Sequence, residues 1–339
     1  MTPAGLAGRP LFEPIAPLLA RFTGGLPGVA QLDALLHEHA PGAVSGSGQP
    51  IRFVPPPVDL PAYEQHIDAT GEVPTRPDDW HDFFNALAWC VWPRSKAACN
   101  ALHLAEQSAR EAAGLAGRGP RRDALTQFDE CGILVVSADP EVSALLAAHA
   151  WEAAFWQRRA RLLATTRFLV FGHGSWDQLR APFFGLCAKA IHRVVDPAWL
   201  ALSPADRQAE ADAWLAVHLA DPAQPFGKAS LAPLPLLGIP GVTPASEHAD
   251  YYRDTRQFRP RRAAQYGFAF LHFSGQRHVD DKPVRGQAGA FPPGDADAEL
   301  PRQPPHAAVN SFHLGDRAVC VHEQGHQCVK GRAAHGPYV

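Results

Sequence analysis

Four stretches of this chain set imidazole, carboxylate and amide groups at spacings that suit chemistry. In RPDDWHDFFN, His81, Asp82 and Asn85 point away from the apolar face of a helix, and in KAACNALH, Lys96, Asn100 and His103 share one face through offsets of four, three and seven. TQFDECG carries two adjacent carboxylates, Asp129 and Glu130, the residue types of metal ligands or of an acid/base pair. FGHGSWDQL places His173 and Asp177 four apart, directly after an apolar run, where strand-end loops hold functional side chains. If His81, Asp82, Asp129, His173 and Asp177 met in space, they would form a mixed nitrogen and oxygen set suited to a divalent metal and a hydrolytic water. The candidate catalytic residues are therefore His81, Asp82, Asn85, His103, His173 and Asp177, and the candidate metal ligands Asp129 and Glu130. Each also has an ordinary structural role open to it: Asp129 can initiate a turn, and the helical polar groups can bond one another.

A fifth stretch, AVCVHEQGHQCVKG, contains HEQGH and so fits the H-E-x-x-H pattern of zinc peptidases. That chemistry needs a helix, so that both histidines face the ion, and a third ligand downstream. Glycine interrupts the motif, and Val329 and Arg332 stand where the extended pattern needs Gly and His. Folded as a hairpin instead, Cys320, His322, His326 and Cys328 would share one face, a better fit to a Cys2His2 zinc clip than to a protease.

The elements that must position these groups follow from apolar periodicity. Asp78 or Asp79 caps a helix whose Trp80, Phe83, Phe84, Leu87 and Val91 recur on one face until Pro93, and a second helix runs from near Ser95 to Gly114. The two form a helical hairpin over 79-113. Residues 124-138 read as a β-hairpin turning at Asp-Glu-Cys-Gly, Asp139-Pro140 open a long helix, and a strand follows at 167-172. His173 starts another helix, extending toward Ala190, and Ser203-Pro204 open one more. The fold class expected is α+β, helix-dominated, with a small sheet made of the 124-138 hairpin and the 167-172 strand; a parallel pairing of strands around the long helix would make it α/β.

Bulk properties narrow the function classes. The chain has 339 residues, 46% hydrophobic and 19% charged, with a formal net charge of -3, so nothing supports nucleic-acid binding or an anionic membrane surface. No apolar run is long enough to span a bilayer, the N-terminus lacks a leader pattern, and six scattered cysteines do not form a disulfide framework, so a cytoplasmic setting is expected. No phosphate-binding Gly-rich loop, G-x-S-x-G elbow or C-x-x-C occurs. After about residue 263 leucine nearly vanishes while Gly, Pro, His and Gln rise, which predicts one globular domain over 1-262 and a disordered or weakly structured tail over 263-339.

The blocks WHDFFNALAWCVWPRSKAACNALH, TQFDECGILVVSADP, RFLVFGHGSWDQLRAPFFGLCAKA and PLPLLGIPGVTPASE, in that order, resemble a bacterial family catalogued as domain of unknown function 3025, over roughly residues 10-262. The resemblance implies a single bacterial domain ending near Arg262 and no established activity. In that family an acidic residue, usually Glu, stands where this chain has Asp177. The residues themselves point to a hydrolase using a divalent metal or acid/base groups in a polar cleft between the 79-113 hairpin and the strand ends. The alternative is a non-catalytic binding or scaffold protein that presents Trp89, Trp92 and Tyr251 to a partner.

Overall fold

A computed structural model describes residues 1–59, 62–223 and 226–261. HEQGH, the 320–328 clip and the 263–339 tail lie outside the described residues. In chain order the regular elements are α1 (Ala16–Leu19), α2 (Val29–His39), β1 (Arg52–Val54), α3 (Tyr63–Thr70), β2 (Glu72–Pro74), α4 (Trp80–Val91) and α5 (Pro93–Ala112). They continue with α6 (Gly119–Cys131), β3 (Gly132–Ser137), α7 (Pro140–Ala147), α8 (Arg159–Thr165), β4 (Thr166–Val170), α9 (His173–Leu179), β5 (Cys187–Val194), α10 (Pro204–Ala220) and β6 (Ala232–Pro235).

The main sheet has the strand order β4-β3-β5-β6. β3 pairs antiparallel with β4 and parallel with β5, and β5 pairs antiparallel with β6. All six residues of β3, GILVVS, are buried, the unbroken apolar pattern of a strand covered on both faces. Helices dominate around this sheet, and the class is α+β as expected. A separate two-stranded parallel ribbon joins β1 to β2.

Three expectations about the elements are corrected. Residues 124-138 are not a hairpin: the first half completes α6, and only 132–137 form a strand. Ala124, Leu125, Phe128 and Cys131 are buried at the spacing of a helical face, so the period of 3.6 rather than turn chemistry governs this run. The helix beginning at Pro140 ends at Ala147, and His149 adopts φ 59°, after which a π-helical turn over Glu152–Gln157 restarts the path toward β4. The helix from His173 stops at Leu179, and the residues expected to prolong it toward Ala190 begin β5, the parallel partner of β3.

Trp89 and Trp92, expected at a binding surface, are core residues, and Tyr251 is half-buried. The surface patch on which a scaffold reading rested therefore does not form. Among the described residues no helix is long and apolar enough to cross a membrane.

Candidate metal centre

The first contributing element is α4. Asp79 caps it, its Oδ1 accepting from the Asp82 amide at 3.0 Å, and Phe83, Phe84 and Leu87 bury one side against the core. His81 falls off that side, with 35% of its side chain exposed. At the corner between α4 and α5 the buried Trp92 indole donates from Nε1 to the Val170 carbonyl at 2.9 Å, tying the corner to the last residue of β4. That contact fixes α4 relative to the chain leading into His173.

Two junctions then press together. The amides of Phe171 and Gly172, just after β4, both donate to the Gly132 carbonyl at 2.9 Å, where α6 passes into β3. A Cβ on Gly172 would lie 2.4 Å from the Gly132 nitrogen and 2.5 Å from both the Cys131 nitrogen and the Glu130 oxygen. A Cβ on Gly174 would lie 2.5 Å from Oε2 of Glu130. Glycine at these two positions is what lets the start of α9 meet the end of α6, so that His173 and Glu130 reach one point.

At that point three ligand-type atoms converge. Nε2 of His81 and Nε2 of His173 are 3.1 Å apart, and Oε1 of Glu130 is 3.7 Å from each of them. The point equidistant from all three lies about 2.0 Å from each, which is the length of a zinc–nitrogen or zinc–carboxylate bond. His173 is 6% exposed, whereas Glu130 is 40% exposed, so the group opens to solvent on the side of His81 and Glu130. Burial, and then the nearby His81, hold the His173 imidazole well below its usual range, despite the opposing pull of Asp129. A neutral imidazole is the form that binds a metal.

Behind His173 runs a chain of polar side chains. Its Nδ1 faces Oδ2 of Asp129 at 3.7 Å, while Oδ1 of Asp129 accepts from Lys96 Nζ at 2.6 Å. Lys96 also donates to Asn85 Oδ1 at 3.0 Å, and Asn85 Nδ2 donates to the Tyr63 hydroxyl at 3.0 Å. Burial pushes the Asp129 carboxyl upward, but Lys96 and His173 together outweigh it and leave it below the usual carboxylate range.

The expected site residues thus divide. His81, Glu130 and His173 meet, and Asp129 and Asn85 stand directly behind them. Asp82 does not join them: it accepts from the Arg76 amide at 2.7 Å and from the Arg76 guanidinium at 2.8 and 2.7 Å. Asp177 is likewise engaged by Arg180, with Nε at 2.8 Å from Oδ1. His103 is buried elsewhere, 3.9 Å from Glu64, lining a small cavity with Tyr63, Cys99 and Asn100 on the far side of the Lys96–Asp129 pair. Burial lowers its imidazole as well. Lys96, Gly172 and Gly174 were not among the expected site residues, although Lys96 lay on a recognised polar face and the two glycines flank His173 directly.

No similarity to a curated protein was found, and none to a solved structure. The family model described as "Protein of unknown function (DUF3025)" matches residues 51–262, beginning at Ile51 rather than near residue 10. His81, Lys96, Asp129, Glu130 and His173 all lie inside the matched span. The chain belongs to this DUF3025 family of proteins of unknown function.

Proposed function

We propose that the protein is a metal-dependent hydrolase whose divalent ion is held by His81, Glu130 and His173. The observation that carries this reading is the convergence of two imidazole nitrogens and one carboxylate oxygen on a point about 2.0 Å from each. Two histidines and a carboxylate are a donor set used by catalytic zinc and by non-haem iron(II), and three protein ligands leave positions open for water and substrate. An ion there supplies Lewis-acid activation of a water at neutral pH. The protein's share is to keep both imidazoles turned inward, to hold Glu130 against Gly174, and to leave the His81 side accessible.

A cytoplasmic setting belongs to the same proposal, supported by the free thiols of Cys90, Cys99 and Cys187. The test is elemental analysis of protein purified without added metal, together with hydrolysis of phosphate and carboxylate ester probes before and after chelation. One divalent ion per chain and chelator-sensitive, metal-restored hydrolysis are expected. Absence of any stoichiometric ion, including after incubation with zinc, manganese or iron(II), removes the reading.

A further inference from the structure

The Lys96 side chain is 6% exposed, and burying an ammonium group costs several kcal/mol unless its partners compensate. An apolar residue of similar length would join α5 to α6 without that desolvation. The partners of Lys96 show a more specific arrangement. Its Nζ lies 2.6 Å from Oδ1 of Asp129 and 3.0 Å from Oδ1 of Asn85, with the Trp89 ring centroid at 5.6 Å. One carboxylate oxygen of Asp129 is thereby pinned, and the other is left facing Nδ1 of His173 at 3.7 Å. That Nδ1 is buried without a well-formed hydrogen bond, and both the carboxylate and the main-chain carbonyl of Asp129 stand on its side as acceptors. A histidine that gives the lone pair of Nε2 to a metal carries its proton on Nδ1, and that proton needs an acceptor.

We infer that Lys96 and Asp129 are positioning residues for the ion, with Lys96 fixing the Asp129 carboxylate so that it receives the His173 Nδ1–H and holds Nε2 toward the metal. This rests on the proposed metal centre. Neither residue touches the ion; each acts through His173. With an ion on Nε2, the Nδ1–H would have Oδ2 of Asp129, 3.7 Å away in this structure, as its acceptor.

A merely structural ion pair predicts something different, and the two can be separated. Zinc affinity by chelator competition and metal-free stability by urea titration are measured for wild type, Lys96→Met, Asp129→Asn and the double variant Lys96→Met/Asp129→Leu. Each single variant is expected to bind zinc roughly 10- to 100-fold more weakly, the usual effect of losing such an outer partner. In the double variant stability returns toward wild type, since no buried charge is left unpaired, while zinc affinity stays roughly 10- to 100-fold down. Zinc affinity within about threefold of wild type in Asp129→Asn or in the double variant overturns the inference. If wild type itself binds no zinc, manganese or iron(II), the metal centre falls first; if it binds and the variants bind equally, only the positioning role falls. Asp129→Asn preserves size and shape, so the result does not depend on Lys96→Met folding well.

Discussion

Nε2 of His81 lies 3.1 Å from Nε2 of His173, with the ring centroids 4.5 Å apart, although 92 residues separate them in the chain. Two imidazole nitrogens at that distance share either a proton or an ion. His81→Ala and Glu130→Gln are expected to weaken zinc binding by more than the roughly 10- to 100-fold assigned to an outer partner, because each removes a ligand outright. Since both side chains are partly exposed, metal-free stability should change by less than about 1 kcal/mol. Calorimetric zinc titration beside urea unfolding reads both quantities, and unchanged affinity in either variant contradicts the ligand assignment.

Gly172 and Gly174 should differ in their tolerance of a methyl group. At 172 the added carbon meets main-chain atoms at 2.4–2.5 Å, which must move; at 174 the nearest atom is the carboxylate end of Glu130 at 2.5 Å, and the Glu130 main-chain oxygen follows at 2.9 Å, a milder clash. Gly172→Ala is therefore expected to lose about 3 kcal/mol or more of stability, and Gly174→Ala about 1 kcal/mol, with metal affinity as the larger loss. Urea midpoints for the two variants give the comparison. A Gly172→Ala protein of wild-type stability would mean that the two junctions are not pressed together as described.

The start of α5 is held by a residue far away in sequence. Asp212, on α10, accepts the Ser95 amide at 2.9 Å and the Arg94 amide at 3.1 Å, and its carbonyl accepts the Ser95 hydroxyl at 3.0 Å. Asp212→Ala should destabilise the fold by about 1–3 kcal/mol, through amides left without an acceptor. Because α5 carries Lys96, metal affinity should fall modestly alongside. Thermal melting shows the first effect, and a change below 0.5 kcal/mol would show that water replaces the cap.

Buried histidines set the response to acid. His192, on β5, is lowered to about 4 by burial, with His149 adding to the effect. The folded value lies below the unfolded one, so this residue's contribution is fully present above about pH 6.5 and is lost as pH falls toward its folded value. The slope is about 1.4 kcal/mol per pH unit for each such group, and His173 and His103 act in the same direction. Between pH 7.5 and 5, His192→Gln should lose about 2 kcal/mol less stability than wild type. Parallel urea curves at the two pH values decide it, and identical losses in both proteins argue against a buried neutral imidazole.

Much of the helical framework was legible in local signals. The helix capped by Asp78 or Asp79 and the Ser203-Pro204 start follow from capping chemistry and apolar spacing, and both stand in the structure, with Asp79 as the cap. The errors fell where two local rules competed. In TQFDECGILVV the acidic residues and glycine resemble a turn, while Phe128 and Cys131 continue a helical face begun at Ala124, and the helix prevails because that face is buried. His81 and His173 were identifiable as chemistry-bearing types, but their meeting depends on the Trp92–Val170 and Gly132–Gly172 contacts, which link residues 78 and 40 positions apart. Nothing in the spacing of Asp82 and Asp177 revealed that Arg76 and Arg180 would claim them.

The two amides that converge on the Gly132 carbonyl give the centre a property beyond its shape. The spacing of the main chain that carries Glu130 and His173 is set by backbone resting on backbone at the end of the β3–β4 pairing. A bound ion is therefore a gauge of sheet integrity. As denaturant is raised, release of the ion and loss of β3–β4 pairing should coincide in one step, with no partly opened form that keeps its grip.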